Sequence, residues 1–152
     1  MNKQITIRPY EHADLKTISE IEKETFGFVA YPAFFFRQAY DILSDLFLVA
    51  ESVDGKILGY VMGAFETGSC DSWILSLAVA KEHRRQGVAH ALMEQLLQKL
   101  IARGAESILL TVDPDNTAAV SFYRKQDFHE IRVENDYFEP KDKRAVMRKK
   151  ST

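Results

Sequence analysis

Ser72-Trp73-Ile74-Leu75-Ser76-Leu77-Ala78-Val79 leads through Lys81-Glu82-His83-Arg84-Arg85-Gln86-Gly87-Val88-Ala89 into a stretch with Leu92, Leu96, Leu97, Leu100 and Ile101 on one helical side. The first run is short and apolar, which reads as a strand buried on both faces. The charged segment after it is a turn. The leucine spacing predicts a helix from Val88 that stops at Gly104, a residue suited to the left-handed conformation that ends helices. Another apolar run, Ser107 to Val112, predicts the next strand. Strand, long helix and strand in that order imply a right-handed parallel crossover. Ligands favour the carboxyl ends of such strands.

Upstream, Leu46 to Ser52 and Ile57 to Glu66 predict two strands joined through Val53-Asp54-Gly55-Lys56, where Asp-Gly supplies the positive φ angles of a tight hairpin. Earlier still, Ile5-Thr6-Ile7-Arg8-Pro9 alternates as a short strand and stops at its proline. A helix capped by Asp14 then places Leu15, Ile18, Ile21 or Glu22, and Phe26 along one side and ends at Gly27. From Pro32 a second helix is readable, because Phe36, Ala39, Tyr40 and Leu43 fall at i, i+3, i+4 and i+7. Phe34, Phe35 and Phe36 in succession cannot all face one core, so at least one is expected to be exposed. Downstream, Asn116 caps a helix running to about Gln126, and strands near His129 to Val133 and Arg144 to Met147 close the chain. The expected architecture is α/β with a mixed sheet: antiparallel at its start, a parallel pair in the middle, and helices on both faces.

The 152 residues, 46% hydrophobic and 28% charged, have the balance of a globular domain able to hold its own core, so one domain over residues 1–152 is expected. A net charge of −2 gives no overall footprint for nucleic acid. The basic run Lys141, Lys143, Arg144, Arg148, Lys149 and Lys150 reads as a solvated tail or strand edge. Cys70 is the only cysteine, which excludes an intrachain disulfide and fits a reducing, cytoplasmic compartment. No apolar run reaches the ~20 residues of a membrane span, and Met1-Asn2-Lys3-Gln4 opens onto short alternation in place of a signal core. His12, His83, His90 and His129 lack paired ligand spacing, so no metal is expected.

The turn carries the chemistry. It sets two arginines and the small residues Gly87 and Ala89 at a helix N-terminus, where unpaired backbone N–H groups and the helix dipole attract anions and small residues let phosphate oxygens approach. A Gly-Lys-Ser/Thr triphosphate loop and a three-glycine dinucleotide fingerprint are both absent.

Leu77-Ala78-Val79, Arg84-Arg85-Gln86-Gly87-Val88-Ala89 and Ala91-Leu92 together resemble the acetyl-CoA motif of the GNAT superfamily of acetyltransferases, Arg/Gln-x-x-Gly-x-Gly/Ala. Asn116 to Phe128 resembles that family's Asn-x-x-Ala-x-x-Phe/Tyr-Tyr-x-Lys-x-Gly-Phe segment, with Asp127 in place of the usual glycine. Asp tolerates the left-handed conformation better than most residues, so the departure affects only the turn after the helix. The resemblance implies that backbone groups of Leu77, Ala78 and Val79 hold the thioester and pantetheine of acetyl-CoA. It implies that Arg84, Arg85, Gln86, Gly87, Val88, Ala89 and His90 hold the pyrophosphate, that Asn116 contacts pantetheine, and that Phe122 and Tyr123 line the thiol end, with Tyr123 as general acid.

Acetyl transfer to an amine needs a neutral amine, a polarised carbonyl and a proton for the departing thiolate; no protein nucleophile is required. Cys70 is accordingly a structural or incidental thiol. Related protein N-terminal acetyltransferases often carry Glu or His at the position of Thr111, whose hydroxyl is not a titrating base at neutral pH. The amine is therefore expected to arrive neutral, with Glu66, Asp113 or water as the alternative proton acceptor. Acceptor-site residues implied by the resemblance are Phe28, Tyr31 and Pro32 and the segment Asn135 to Pro140, where Tyr137-Phe138 resembles the ribosomal-protein alanine N-acetyltransferase type. A peptide or protein N-terminus is the expected acceptor. A small amine such as a polyamine would be favoured if Glu66, Asp71, Asp113 and Asp136 faced the cleft, and a non-catalytic acyl-CoA-binding module is the third reading. Either a monomer or a homodimer fits.

Overall fold

The computed structural model describes residues 4–152, and the opening Met1-Asn2-Lys3 lies outside the described residues. The elements in chain order are β1 (Ile5–Pro9), α1 (Leu15–Phe26), α2 (Ala33–Leu43), β2 (Phe47–Ser52), β3 (Ile57–Phe65), β4 (Asp71–Val79), α3 (Val88–Ala102), β5 (Ser107–Val112), α4 (Thr117–Lys125), β6 (His129–Glu134) and β7 (Arg144–Lys150). The strand order is β1-β2-β3-β4-β5-β7-β6. β4 and β5 are the parallel pair, while β1 with β2, β2 with β3, and both neighbours of β7 pair antiparallel. The mixed, mostly antiparallel sheet expected from the sequence is thus present. Among the described residues no helix is long and apolar enough to cross a membrane.

The chain falls into two compact units, one formed by the residues up to Ala64 with Leu75–Leu100, the other by Phe65–Ile74 with Ile101–Thr152. In the first, α1 buries Ile18 and Ile21, α2 buries Phe36, Ala39 and Leu43, and α3 buries Leu92, Met93, Leu96 and Leu100. Phe36 stands edge-on to Tyr60, and Phe47 stacks on Tyr10 at 4.2 Å. Such an aromatic pair is worth about 0.5–1.5 kcal/mol beyond the area it buries. In the second unit Ile108 and Leu110 of β5, Phe128, and Val146 and Met147 of β7 are buried.

Several local expectations need correction. Asp14 stands at the N-cap position of α1 as expected, but its side chain makes no cap bond: its carboxylate accepts from the Glu11 N–H and from both terminal nitrogens of Arg8, because a short 3-10 turn, His12–Asp14, precedes the helix. Only Gly55 has positive φ in the β2–β3 turn, so the single glycine, and not the Asp-Gly pair, reverses the chain. Leu46 ends a 3-10 turn ahead of β2. Tyr40 is only half-buried, and Ile101 is 40% exposed while Met93 takes a place in the core. The basic C-terminal run is no solvated tail: Arg144 to Lys150 form β7, paired on both edges. β4 is not buried on both faces either. Ser72, Ile74, Ser76 and Ala78 are buried, whereas Trp73, Leu75 and Leu77 are half-buried.

Candidate active site

Within the first unit, β4 ends beside β3 at a close approach. A Cβ on Gly59 would lie 2.6 Å from the Ala78 carbonyl oxygen and 3.1 Å from the Val79 Cα. The Ala80 N–H donates to the Leu58 carbonyl, while near the other end of the strand the Glu66 N–H donates to the Asp71 carbonyl. Between these two links β3 advances by eight residues and β4 by nine, so β4 holds one extra residue. Within that span the burial alternation of β4 breaks at its carboxyl end, where Ala78, Val79 and the following Ala80 are all buried. A bulge of this kind re-aims backbone groups and is common beside active sites.

The turn after β4 is built by two left-handed residues, Arg85 (φ 62) and Gly87 (φ 83). Gly87 is open, with nothing within 4 Å of where a Cβ would stand. The first bond of α3 runs from the Ala91 N–H to the Gly87 carbonyl at 3.0 Å, which leaves the amides of the preceding residues unused by the helix. Val88 is fully buried and anchors the turn, Ala89 is half-buried, and His90 is exposed with Glu94 at 3.8 Å. The two arginines differ. Arg84 Nε donates to the Val79 carbonyl at 3.0 Å and its guanidinium reaches Thr25 Oγ1 at 3.4 Å, which ties the turn back to β4. Arg85 is exposed, with no side-chain partner among the described residues. The Gln86 side chain donates to the Glu82 carbonyl.

The loop between α1 and α2 puts Phe28 at 99% exposure, and Tyr31 stacks on Phe35 at 4.3 Å. Pro32 caps α2, and Phe34 is the exposed member of its aromatic triplet at 73%. Behind Tyr31 lies a carboxylate that the sequence offered only as an alternative to Ile21 along the apolar side of the helix. Glu22 is 1% exposed. Its Oε2 accepts from the Tyr31 N–H at 2.9 Å, and its Oε1 accepts from Ser76 Oγ at 2.8 Å and from the Tyr60 hydroxyl. Burial, and next the Glu22 charge beside it, push the Tyr60 hydroxyl well above the ordinary tyrosine range. The Tyr31 hydroxyl donates to the Leu75 carbonyl at 3.4 Å.

Within the second unit, Asn116 caps α4 by accepting from the Ala119 N–H at 3.1 Å. Phe122 and Tyr123 meet edge to face at 5.5 Å, and Tyr123 meets Phe128 in the same manner at 6.0 Å. Burial pushes the Tyr123 hydroxyl up to about 12. Asp127 adopts φ 68, the left-handed conformation expected where a glycine is usual. Thr111 is half-buried on β5 opposite Val146. Asp113 Oδ1 accepts from the Asp115 N–H. Glu66 is exposed and bonded to Asp71, which pairs with Ser107 at the start of β5. Asp113 and Asn116 leave the opposite end of that strand, about 20 Å away at ~3.3 Å per residue. Asp136 and Asp142 are engaged in the β6–β7 connection: Asp136 accepts from the Lys141 N–H, and Asp142 accepts from the Phe138 N–H and pairs with Arg144. Burial works to raise the Asp142 carboxyl, but Arg144 and the Phe138 N–H outweigh it and hold the carboxyl low. Tyr137 is exposed and stands edge-on to Phe138. Cys70 is exposed. No group of His, Cys, Asp and Glu among the described residues could hold a metal.

Residues 15–128 match the acetyltransferase (GNAT) family. The chain belongs to this family. An N-acetyltransferase of Methanocaldococcus jannaschii is 31% identical over 145 residues, 95% of this chain and 90% of that protein. An N-alpha-acetyltransferase of Sulfurisphaera tokodaii is 30% identical over 119 residues, 71% of each chain. Naa20 of Chaetomium thermophilum, solved with a bisubstrate analogue, superposes with a TM-score of 0.84 at 29% identity, covering 95% of this chain and 86% of that one. This GNAT protein is thus an N-acetyltransferase. Three features of its candidate site have no local sequence signal: the extra residue in β4, the close approach at Gly59, and the cluster around Glu22, whose partners lie far away in sequence.

Proposed function

We propose that the chain transfers the acetyl group of acetyl-CoA to the amino terminus of a peptide or protein. The observation that carries this reading is the character of the α1–α2 loop. From Gly27 to Phe36 the chain bears no charged residue, Phe28 and Phe34 are exposed, and Tyr31 stands over the buried Glu22 carboxylate, which three donors already engage. Aromatic walls of this kind suit a peptide backbone better than a polycation, which would need free carboxylates. Asp113 and Asp136 are engaged in turns of their own, and Glu66 lies at the wrong end of β5. The N-alpha-acetyltransferase relative supports the same acceptor.

In this reading the phosphates of acetyl-CoA rest on the amides ahead of α3 with Arg85 as counter-charge, which is the natural anion site of a helix N-terminus. Leu77, Ala78 and Val79 hold the pantetheine and thioester, and the re-aimed N–H of Ala78 or Val79 polarises the carbonyl. Asn116 and Phe122 take the pantetheine arm, and Tyr31, Phe28 and Tyr137 the acceptor. The neutral amine attacks the carbonyl carbon, the C–N bond forms and the C–S bond breaks. The thiolate takes a proton from Tyr123, and the proton lost by the amine passes to water and restores the phenol. A hydroxyl at about 12 is fully protonated at neutral pH, which suits a donor and excludes a base.

The test is release of CoA thiol from acetyl-CoA with peptides of varied N-termini beside polyamines and aminoglycosides. Peptide-dependent turnover, with Glu66→Gln retaining both rate and pH profile, is the expected result. Turnover only with small amines refutes the acceptor assignment, and binding of CoA without turnover on any amine refutes catalysis.

A further inference from the structure

Glu22 is buried without a cationic partner among the described residues, an arrangement that costs several kcal/mol unless donors satisfy it. Three donors do so, and they come from three elements. The Tyr31 N–H belongs to the acceptor loop, Tyr60 to β3 and Ser76 to β4. If stability alone were at stake, a well-packed apolar side chain facing apolar neighbours would serve as well. A carboxylate does what an apolar group cannot: it accepts from a loop amide on one oxygen and from strand side chains on the other, and so fixes the separation between them. The Tyr31 hydroxyl adds a second tie, to the Leu75 carbonyl. Both ties reach β4 at Leu75 and Ser76, directly before Leu77 to Val79.

We propose that Glu22 is a positioning residue that clamps the acceptor loop to β4 and so sets where the amine stands relative to the thioester. The proposal rests on the assignment of Tyr31 to the acceptor site. It is tested in the full chain by hydrogen exchange at the Tyr31 amide and by separate KM values for acetyl-CoA and for the acceptor, whether peptide or polyamine, that the wild type turns over. Glu22→Ala should speed exchange at Tyr31 and raise the acceptor KM by about tenfold, the equivalent of one hydrogen bond to a charged group, with acetyl-CoA KM unmoved. Glu22→Gln keeps an acceptor for the Tyr31 amide and should restore the acceptor KM to near the wild-type value. If Glu22→Ala fails to fold, Tyr31→Phe, which removes the Leu75 tie and keeps the Tyr31 N–H on Glu22, should still raise the acceptor KM with acetyl-CoA KM unmoved. Unchanged exchange at Tyr31, a joint rise of both KM values, or a Gln variant as defective as the Ala variant overturns the clamp. Turnover of polyamines alone, with exchange at Tyr31 responding as expected, refutes the acceptor class and leaves the clamp standing.

Discussion

Replacing Gly59 by alanine tests the candidate site at a residue that touches no substrate. The added Cβ would stand 2.6 Å from the Ala78 carbonyl oxygen, and ordinary contact begins near 3.4 Å, so the strands must part by about 0.8 Å. No rotamer can relieve this, because the oxygen and the Val79 Cα at 3.1 Å are both backbone. The Ala78 carbonyl and the Val79 N–H share one rigid peptide plane, so displacing the oxygen also displaces the Val79 N–H, one of the two donors proposed for the thioester carbonyl. A misplacement approaching 1 Å costs on the order of 10²-fold in rate, and overpacking costs about 1–3 kcal/mol in stability, or roughly 3–9 °C in Tm for a domain of this size. Gly63→Ala is the matched control. Its Cβ would meet Leu96 Cδ1 at 3.0 Å and Cδ2 at 3.2 Å, the far end of a side chain that can turn away. Gly63→Ala should lower Tm by a few degrees and keep kcat, whereas Gly59→Ala should lose both. Thiol-release kinetics at saturating acetyl-CoA, with calorimetric melting of each variant, separates the two effects. A Gly59→Ala enzyme with kcat within about threefold of wild type would refute the role given to the Ala78–Val79 peptide.

Tyr123→Phe should lower kcat by about 10²-fold and leave the acetyl-CoA KM near its wild-type value, measured by the same assay. Because the Tyr123 pKa is raised, its proton is present at every pH below about 12 and is lost only above it. The wild-type rate should therefore climb with pH through the ~8 of an α-amino group and show no alkaline fall before pH 10; a fall near pH 9 would count against Tyr123 as the donor. Arg8→Ala should cost about 3 kcal/mol in urea unfolding, since Asp14 is 5% exposed and would keep its burial while losing both guanidinium bonds. A loss under about 1 kcal/mol would mean that Asp14 finds water instead.

The parts of the chain legible from sequence were those decided by neighbours a few residues apart. The helix from Val88, its stop near Gly104, the cap at Asn116 and the left-handed Asp127 all follow from local chemistry, and each is found where the residues put it. The charged turn ahead of α3 was legible for the same reason, since a turn and the helix N-terminus after it are contiguous. The Glu22 cluster was not. Its carboxylate meets Tyr60 and Ser76, 38 and 54 residues away, and nothing in the spacing of α1 distinguishes a buried glutamate with distant donors from a surface residue that interrupts an apolar stripe.

β4 is the misread strand that bears on the candidate site. Its sequence looks like a strand with apolar residues on both faces, yet the buried positions include two serines, while Trp73, Leu75 and Leu77 stay half-buried. Packing alone would favour the opposite arrangement, because a half-buried leucine forgoes part of the roughly 1.5–3 kcal/mol that full burial gives. The buried hydroxyls have specific partners: Ser72 donates to the Ser107 carbonyl, where β4 and β5 run side by side, and Ser76 donates to Glu22. With hydroxyls turned inward and apolar side chains left partly open, one strand supplies both a bond to the buried Glu22 that holds the α1–α2 loop and the apolar surface that the proposed reading gives to pantetheine. A local rule broken in both directions along one strand is expected where function and packing compete.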